Sequence, residues 1–421
     1  MATTRPADVR IDDLADPRFS PEVEAIRSAM MAMGAELRLE PDALLGAASE
    51  QTGLDDFGDP RFLEPLEVLC GALRTEAGLS PAGVTTTWSQ LVTLLKNRLL
   101  VEDVLKRHPE IHELRIERPI IIAGLPRTGT THLHNLMSAD PALRSLPYWE
   151  SLEPVLAEDE RQERDEPDPR VARTEQALDV LNTALPYFRR MHEMTTHHVH
   201  EEIQLLAIDF STMLFETLAI MPSWRDWYRS TDQTPTYRYL ETVLKVLQWQ
   251  RGGVRWVLKS PQHLEQFRPL TATFPDATFV VTHRDPVSIT ASLATLLSYS
   301  ARLSHERVDP HAIGRYWADR IEAMLHACVD ERDVLPANRS LDVGFPEFMA
   351  DDVAMVERIY RVAGQTMTPE ARASMDAFMV EHPRGRHGGV TYDLAALGLD
   401  REERRRALRF YVERFAVDEE G

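Results

Sequence analysis

The sequence predicts an α/β protein in which a parallel sheet is flanked by helices and preceded by a helical N-terminal extension ending near residue 110. Two patterns carry that expectation. Short apolar runs at 120–123, 256–258, 278–282 and 341–343 read as buried strands, and the segments after them carry apolar residues at helical spacing. Residues 1–110 read as mostly helical; Pro21, Pro41, Pro60 and Pro81 divide them into four or five segments. With 421 residues the chain can bury a large core, enough for one α/β domain over 111–421 with an extension over 1–110.

Within the extension, 24–34 and 84–105 have the clearest helical patterns. Trp88, Leu91, Leu94, Leu95, Leu99 and Leu100 form a broad apolar stripe on the second. Such a stripe suits a helical cap on the core, a lid over an apolar substrate, or the face of a homodimer.

The stretch that organises the rest is PIIIAGLPRTGTTHLHNLM at 119–137. Ile120 to Ala123 make a strand, Gly124 and Pro126 end it, and Leu133, Leu136 and Met137 share one face of a helix starting near Thr130. Strand, tight loop and helix together form an anion-binding unit, because amides of the loop and first helical turn lack intrahelical acceptors. The spacing from Gly124 to Gly129 copies the nucleotide-binding GxxxxGK[ST] loop, but Thr130 stands where that loop has lysine. Arg127 supplies the cation from inside the loop, where its planar fork can grip two anionic oxygens. ATP or GTP hydrolysis is disfavoured by the missing lysine; binding of another phosphorylated anion is not. A P-loop nucleotide-binding protein, kinase-like or a non-catalytic scaffold, is the alternative.

After a turn at 139–147, Glu150 lies beside Tyr148 and Trp149, where partial burial would lift its pKa toward that of a general base. Residues 158–170 are charged and hold Pro167 and Pro169, as an exposed linker does. The segment 191–209 gathers His192, His197, His198, His200, Glu201 and Glu202. On a helix, His197 with Glu201 and His198 with Glu202 would lie one turn apart, a metal-ligand spacing. The pattern is not HExxH and no third cluster exists, so a polar pocket edge is preferred and no metal is expected. Trp224, Trp227, Tyr228, Tyr237 and Tyr239 then make an aromatic region that suits core or pocket lining.

A second informative block covers 255–297. The strand at 256–258 ends in Lys259, Ser260 and Pro261, with His263 beyond, and the strand at 278–282 delivers His283 and Arg284. Open α/β sheets bind ligands at such carboxyl ends. Asp285 and Pro286 fit a helix N-cap and first position, with Ser288 and Ser292 on the helix. Arg284 suits an anion or an ion pair with a nearby carboxylate. Farther on, 351–362 reads as a helix, HPRGRHGG at 382–389 as a basic glycine-rich loop able to close over phosphates, and 401–415 as an amphipathic surface helix.

Composition bounds the function. A formal net charge of −20 argues against a nucleic-acid partner, so any anionic ligand must be drawn in by local arginines. Two cysteines far apart, Cys70 and Cys328, and a polar start without a secretory pattern fit a cytoplasmic protein. No apolar run approaches the ~20 residues that span a bilayer.

Taken as a set, GLPRTGTT at 124–131, LKSPQH at 258–263, HRDPVSITAS at 283–292 and, more loosely, HPRGRHGG at 382–389 resemble the sulfotransferase family. The likeness is greatest to its bacterial branch, itself similar to tyrosylprotein sulfotransferases, and covers about residues 85 to 400. It implies a P-loop kinase-like fold, 3′-phosphoadenosine 5′-phosphosulfate as sulfuryl donor, and a small-molecule or lipid hydroxyl as acceptor. Carried over, Arg127, Thr128, Gly129, Thr130 and Thr131 match the loop that holds the 5′-phosphosulfate, and Arg284 with Ser292 match the pair that binds the 3′-phosphate. Arg384, Arg386 and His387 look like the loop covering the nucleotide. Arg127 and Lys259 are candidates for stabilising charge on the bridging oxygen. Two residues compete as base: His263, four positions after Lys259 where cytosolic members have two, and Glu150, slightly later than in the tyrosylprotein pattern. The arginine in the loop favours Glu150.

Overall fold

The computed structural model describes residues 6–160, 166–383 and 385–420. Its centre is a parallel sheet of β1 (Ile120–Ala123), β2 (Val257–Ser260), β3 (Thr278–His283) and β4 (Ser340–Gly344), in the order β2-β1-β3-β4. Side chains alternate across it with period two, and both faces are covered. Ile121, Ala123, Leu258, Phe279 and Val281 point into the larger core, whereas Ile120, Ile122, Val257, Val280 and Val343 point into a second. That double burial explains why the strands read as continuous apolar runs rather than alternating ones.

The larger core is continuous with the N-terminal helices. Pro21–Gly34, Pro41–Thr52, Leu63–Thr75 and the 27-residue Pro81–Arg107 form the extension, and Leu91, Leu95 and Leu99 of the last are fully buried in the same cluster as Ile121 and Leu258. Trp88 and Leu100 pack against it half-buried. The stripe is thus consumed within the chain as a cap, which removes the basis for expecting a homodimer face there. Arg98 ties the cap down: it donates to the Phe57 and Asp59 carbonyls at 2.8 and 3.0 Å and to Asp209 at 3.0 Å, its guanidinium lying between the Phe62 and Tyr239 rings.

The second face carries the helix Thr130–Ser138, through Leu133, Leu136 and Met137, and Asp352–Ala363, through Val356 and Ile359. Two expectations change. Residues 191–202 do not form a helix; Ile203–Leu206 is the only α-helical turn of that stretch after Met191, because Pro147 pairs with Val199 and His200 donates its amide to Leu146. The predicted helix at 401–415 is two short ones, Arg401–Ala407 and Arg409–Phe415, and it is no mere surface element. Tyr411 is buried, with its hydroxyl 2.9 Å from His283 Nδ1.

The segment after β2, Pro261–Glu265, is locked by a buried ion cluster. Arg320 donates to both oxygens of Glu216 at 2.9 and 3.0 Å and to those of Glu265 at 2.7 and 2.5 Å, and Tyr316 adds a bond to Glu216 at 2.9 Å. Removing the cation would leave two buried carboxylates facing each other. Arg320→Met is therefore expected to cost about 3–5 kcal/mol of stability, read as a fall in the urea midpoint with unchanged slope; a loss under about 1 kcal/mol would contradict it.

Candidate active site

Parallel register sets three strand ends side by side: Ala123 pairs with Ser260 on one side and Val281 on the other. The loop 124–129 leaves the middle strand, at the point where successive strands turn to opposite sides. Gly124 is required there, since a Cβ would stand 1.9 Å from Thr282 Oγ1. Thr128 closes the loop by donating to the Leu125 carbonyl at 2.7 Å and sharing a 2.7 Å hydrogen bond with Thr282. Gly129, with φ +83°, turns the chain into the helix Thr130–Ser138, whose first amides point outward from its positive end.

Arg127 also has positive φ, 72°, and its guanidinium is exposed with one bond, 2.5 Å to the Met191 carbonyl. From β3, Arg284 reaches back to donate to the Arg127 carbonyl at 2.7 Å and stacks 4.0 Å from the Phe345 ring. Its other nitrogens meet Glu420 at 2.5 and 2.9 Å. Arg284 thus flanks the loop and is ion-paired with Glu420. The Asp285 side chain caps the following helix, Pro286–Ala301, at the Val287 amide, and also accepts from the Glu420 amide at 3.0 Å. Two turns along, Ser292 Oγ is buried with no hydrogen-bond partner among the described residues. The buried hydroxyls of Ser260 and Ser298 are likewise without a partner there, and Ser292 differs in lying on the helix that Asp285 caps beside Arg284.

Lys259, at the end of β2, is buried, 3.5 Å from Thr131 Oγ1 and ion-paired with Glu201. His263 does not reach the loop as a free base. It is fully buried, Nε2 against Glu202 and Nδ1 2.8 Å from the Tyr237 hydroxyl. Glu202 also accepts the Lys259 amide at 2.8 Å. Burial works to raise the Glu202 pKa, but the charge and hydrogen bond of His263 and the amide bonds outweigh it and hold the carboxyl below its ordinary value. This chain is scaffolding beneath Lys259.

Glu150 is likewise corrected. Fully buried, it gives one oxygen to Arg144 at 2.6 Å and the other to Arg251 at 3.1 Å. The Arg144 backbone brackets Arg255 and Val257, so the cluster sits at the entry to β2, not at its carboxyl end. Both oxygens are engaged by cations and the side chain is closed off from solvent, so a substrate hydroxyl has no path to it. The glycine-rich loop at 382–389 does approach: Arg386 and His387 both meet Glu193, the latter at 2.9 Å. Arg384 lies outside the described residues. Among the described residues no group of three or more His, Cys, Asp or Glu side chains converges in the way metal ligands do.

Sequence reasoning missed the roles of Glu420, Tyr411 and Glu201. Each acts across more than fifty residues of chain, and only the pair of adjacent carboxylates at 201–202 hinted at one of them.

Residues 119–369 match the model described as the sulfotransferase family. The crystal structure of sulfotransferase STF1 from Mycobacterium tuberculosis H37Rv is 32% identical and superposes with a TM-score of 0.76 over 89% of this chain and 98% of that one. Sulfotransferase STF9 from Mycobacterium avium is 26% identical, with a TM-score of 0.81 over 92% of this chain and 99% of that one. No curated protein matches the chain. Among the described residues no helix is long and apolar enough to cross a membrane.

Buried histidines near the site make stability pH-dependent. Burial pulls His134 down to about 3 and His200 well below its ordinary value. Below pH ~6.5 the unfolded chain takes up protons that these native side chains refuse, so stability falls as the pH drops, for His134 from ~6.5 toward ~3 by about 1.4 kcal/mol per unit, and for His200 in the same direction. Urea unfolding at pH 7.5 and 5 is expected to show this loss, and His134→Leu to shrink it; an unchanged slope in the variant would refute the assignment to His134.

Proposed function

The chain belongs to the sulfotransferase family, and on that premise we propose that it moves a sulfuryl group from 3′-phosphoadenosine 5′-phosphosulfate to a hydroxyl of a small-molecule or lipid acceptor. The observation that carries the donor reading is the unpartnered, buried Ser292 hydroxyl on the helix that starts beside Arg284. A phosphate bound by Arg284 would satisfy it. A 3′-phosphate is the group that separates this donor from ATP, and charge-assisted bonds from one arginine and one serine are enough to select for it.

The rest of the donor fits the loop. Amides of Gly129, Thr130 and Thr131 and the hydroxyls of Thr130 and Thr131 would hold the 5′-phosphosulfate at the helix's positive end. Lys259, beside Thr131, would meet the bridging oxygen as it gains charge. Arg127, exposed in the loop, would orient the sulfonate oxygens. Arg386 and His387 would close over the nucleotide from the glycine-rich loop. The reaction needs little else beyond alignment: the acceptor oxygen attacks sulfur opposite the phosphate leaving group while both are held in line.

Calorimetric titration tests the donor site directly. Adenosine 3′,5′-bisphosphate is expected to bind more tightly than AMP or ATP, and Arg284→Ala to weaken it by about tenfold to a hundredfold, the worth of a charge-assisted pair. Equal affinity for AMP, or an unaffected Arg284→Ala, would end the reading. Because Glu420 holds the guanidinium that the 3′-phosphate would need, Glu420→Gln is expected to tighten bisphosphate binding by about two- to fivefold, in keeping with a partly exposed ion pair, and to leave AMP binding unchanged. Weaker binding in that variant would mean that Glu420 supports the site instead of competing for it.

A further inference from the structure

We infer that Glu201 is the proton acceptor of this site, the carboxylate that takes the acceptor hydroxyl's proton as its oxygen attacks sulfur. The assignment rests on the sulfuryl-transfer reading above. Its starting point is location. Glu201 Oε1 is paired with Lys259 Nζ, and that nitrogen lies 3.5 Å from Thr131 Oγ1 in the first turn of the loop helix. The carboxylate therefore stands one side chain away from the anion loop, on the side where Lys259 would meet the bridging oxygen.

Access separates it from its rivals. The Glu201 side chain is 17% exposed, against 0% for Glu150, 1% for Glu202 and 0% for His263. Its second oxygen, Oε2, has no hydrogen-bond partner among the described residues, whereas both oxygens of Glu150 and both of Glu202 are taken. Glu193 is spent on Arg386 and His387. The nearby histidines are poor bases. Desolvation and the cations Lys259 and Arg127 pull His192 down to about 4, and desolvation, His192 and Lys259 pull His198 down to about 3.

The step balances without a further reactant. The acceptor O–H bond breaks and its proton goes to Glu201 Oε2; the oxygen's electron pair forms the new O–S bond. The S–O bond to the 5′-phosphate breaks, and its electrons leave on adenosine 3′,5′-bisphosphate, whose new charge Lys259 stabilises. Glu201 and Lys259 thus exchange partners during the reaction: the ion pair loosens as the carboxylate is neutralised, and the ammonium turns to the leaving oxygen. One ion pair prepares both the base and the electrophile.

The test uses the full chain with Glu201→Gln, which keeps the shape and removes the basic oxygen, and Glu201→Asp, which keeps the charge at shorter reach. Turnover is followed as adenosine 3′,5′-bisphosphate released from the donor with 1-octanol, 2-naphthol, p-nitrophenol or water alone as acceptor. Bisphosphate affinity by calorimetry reports whether the site is still formed. The expected result is bisphosphate affinity no weaker than native, since Lys259 is released, with turnover of 1-octanol reduced by about 10²–10⁴-fold, the usual worth of a general base. For p-nitrophenol, already largely ionised at pH 8, the loss should be much smaller, and Glu201→Asp should retain part of the 1-octanol rate. A merely structural role would depress all acceptors alike. Equal losses for 1-octanol and p-nitrophenol, loss of bisphosphate affinity in both variants, or a Glu201→Gln rate within about threefold of native would each overturn the assignment; absence of donor turnover by the native protein with every acceptor would overturn the sulfuryl-transfer reading beneath it.

Discussion

The site depends on one constraint, the in-register parallel pairing of β1 with β2 and β3. Because Ala123 is level with both Ser260 and Val281, the loop after β1 emerges between Lys259 and Arg284 without any long-range adjustment. Close packing then does the rest. Gly124 presses its backbone onto Thr282, Thr128 bonds the same hydroxyl, and the loop is held in the one course that delivers the helix Thr130–Ser138 with its amides facing outward. A side chain at 124 would push the loop off Thr282, and the outward-facing amides of the helix start would move with it.

Beneath that edge lies a floor of buried charge. Glu202 with His263, Glu216 and Glu265 with Arg320, and Glu150 with Arg144 are paired out of solvent, and the exposed Arg251 closes over Glu150 from outside. Paired charges of this kind add little net stability, because desolvation offsets most of their attraction, but losing one partner is costly. Their effect here is geometric: they fix Pro261–Glu265 and the approach to β2, and so the direction in which Lys259 projects. His283 is similarly enlisted, between Asp342 at 2.9 Å and Tyr411 at 2.9 Å, so the motif HRDP sends only its arginine to the site.

The fold was legible because a sheet buried on both faces and a stripe of leucines leave periodic traces in the chain. All four strands, the loop helix and the long helix Pro81–Arg107 appear close to where apolar spacing puts them. Arg127, Thr128, Gly129, Thr130, Thr131, Lys259 and Arg284 were legible for a related reason. They follow directly on strands, and a parallel sheet collects its strand ends. Residues 191–202 misled, since histidines and glutamates at helical spacing look alike whether or not backbone pairing with 146–149 holds them extended.

By itself the sequence determined the α/β architecture, the course of the loop after β1, the family and the cations at the strand ends, because each is written in local spacing along a few dozen residues. Only the tertiary structure decided which partner each carboxylate takes. Glu150, Glu201 and Glu202 are equivalent in composition. Which one is locked between two arginines, which one props a histidine and which one faces Lys259 depends on neighbours between 6 and 101 residues away. Burial and partner choice are properties of the packed chain, and a proton acceptor is defined by those two properties.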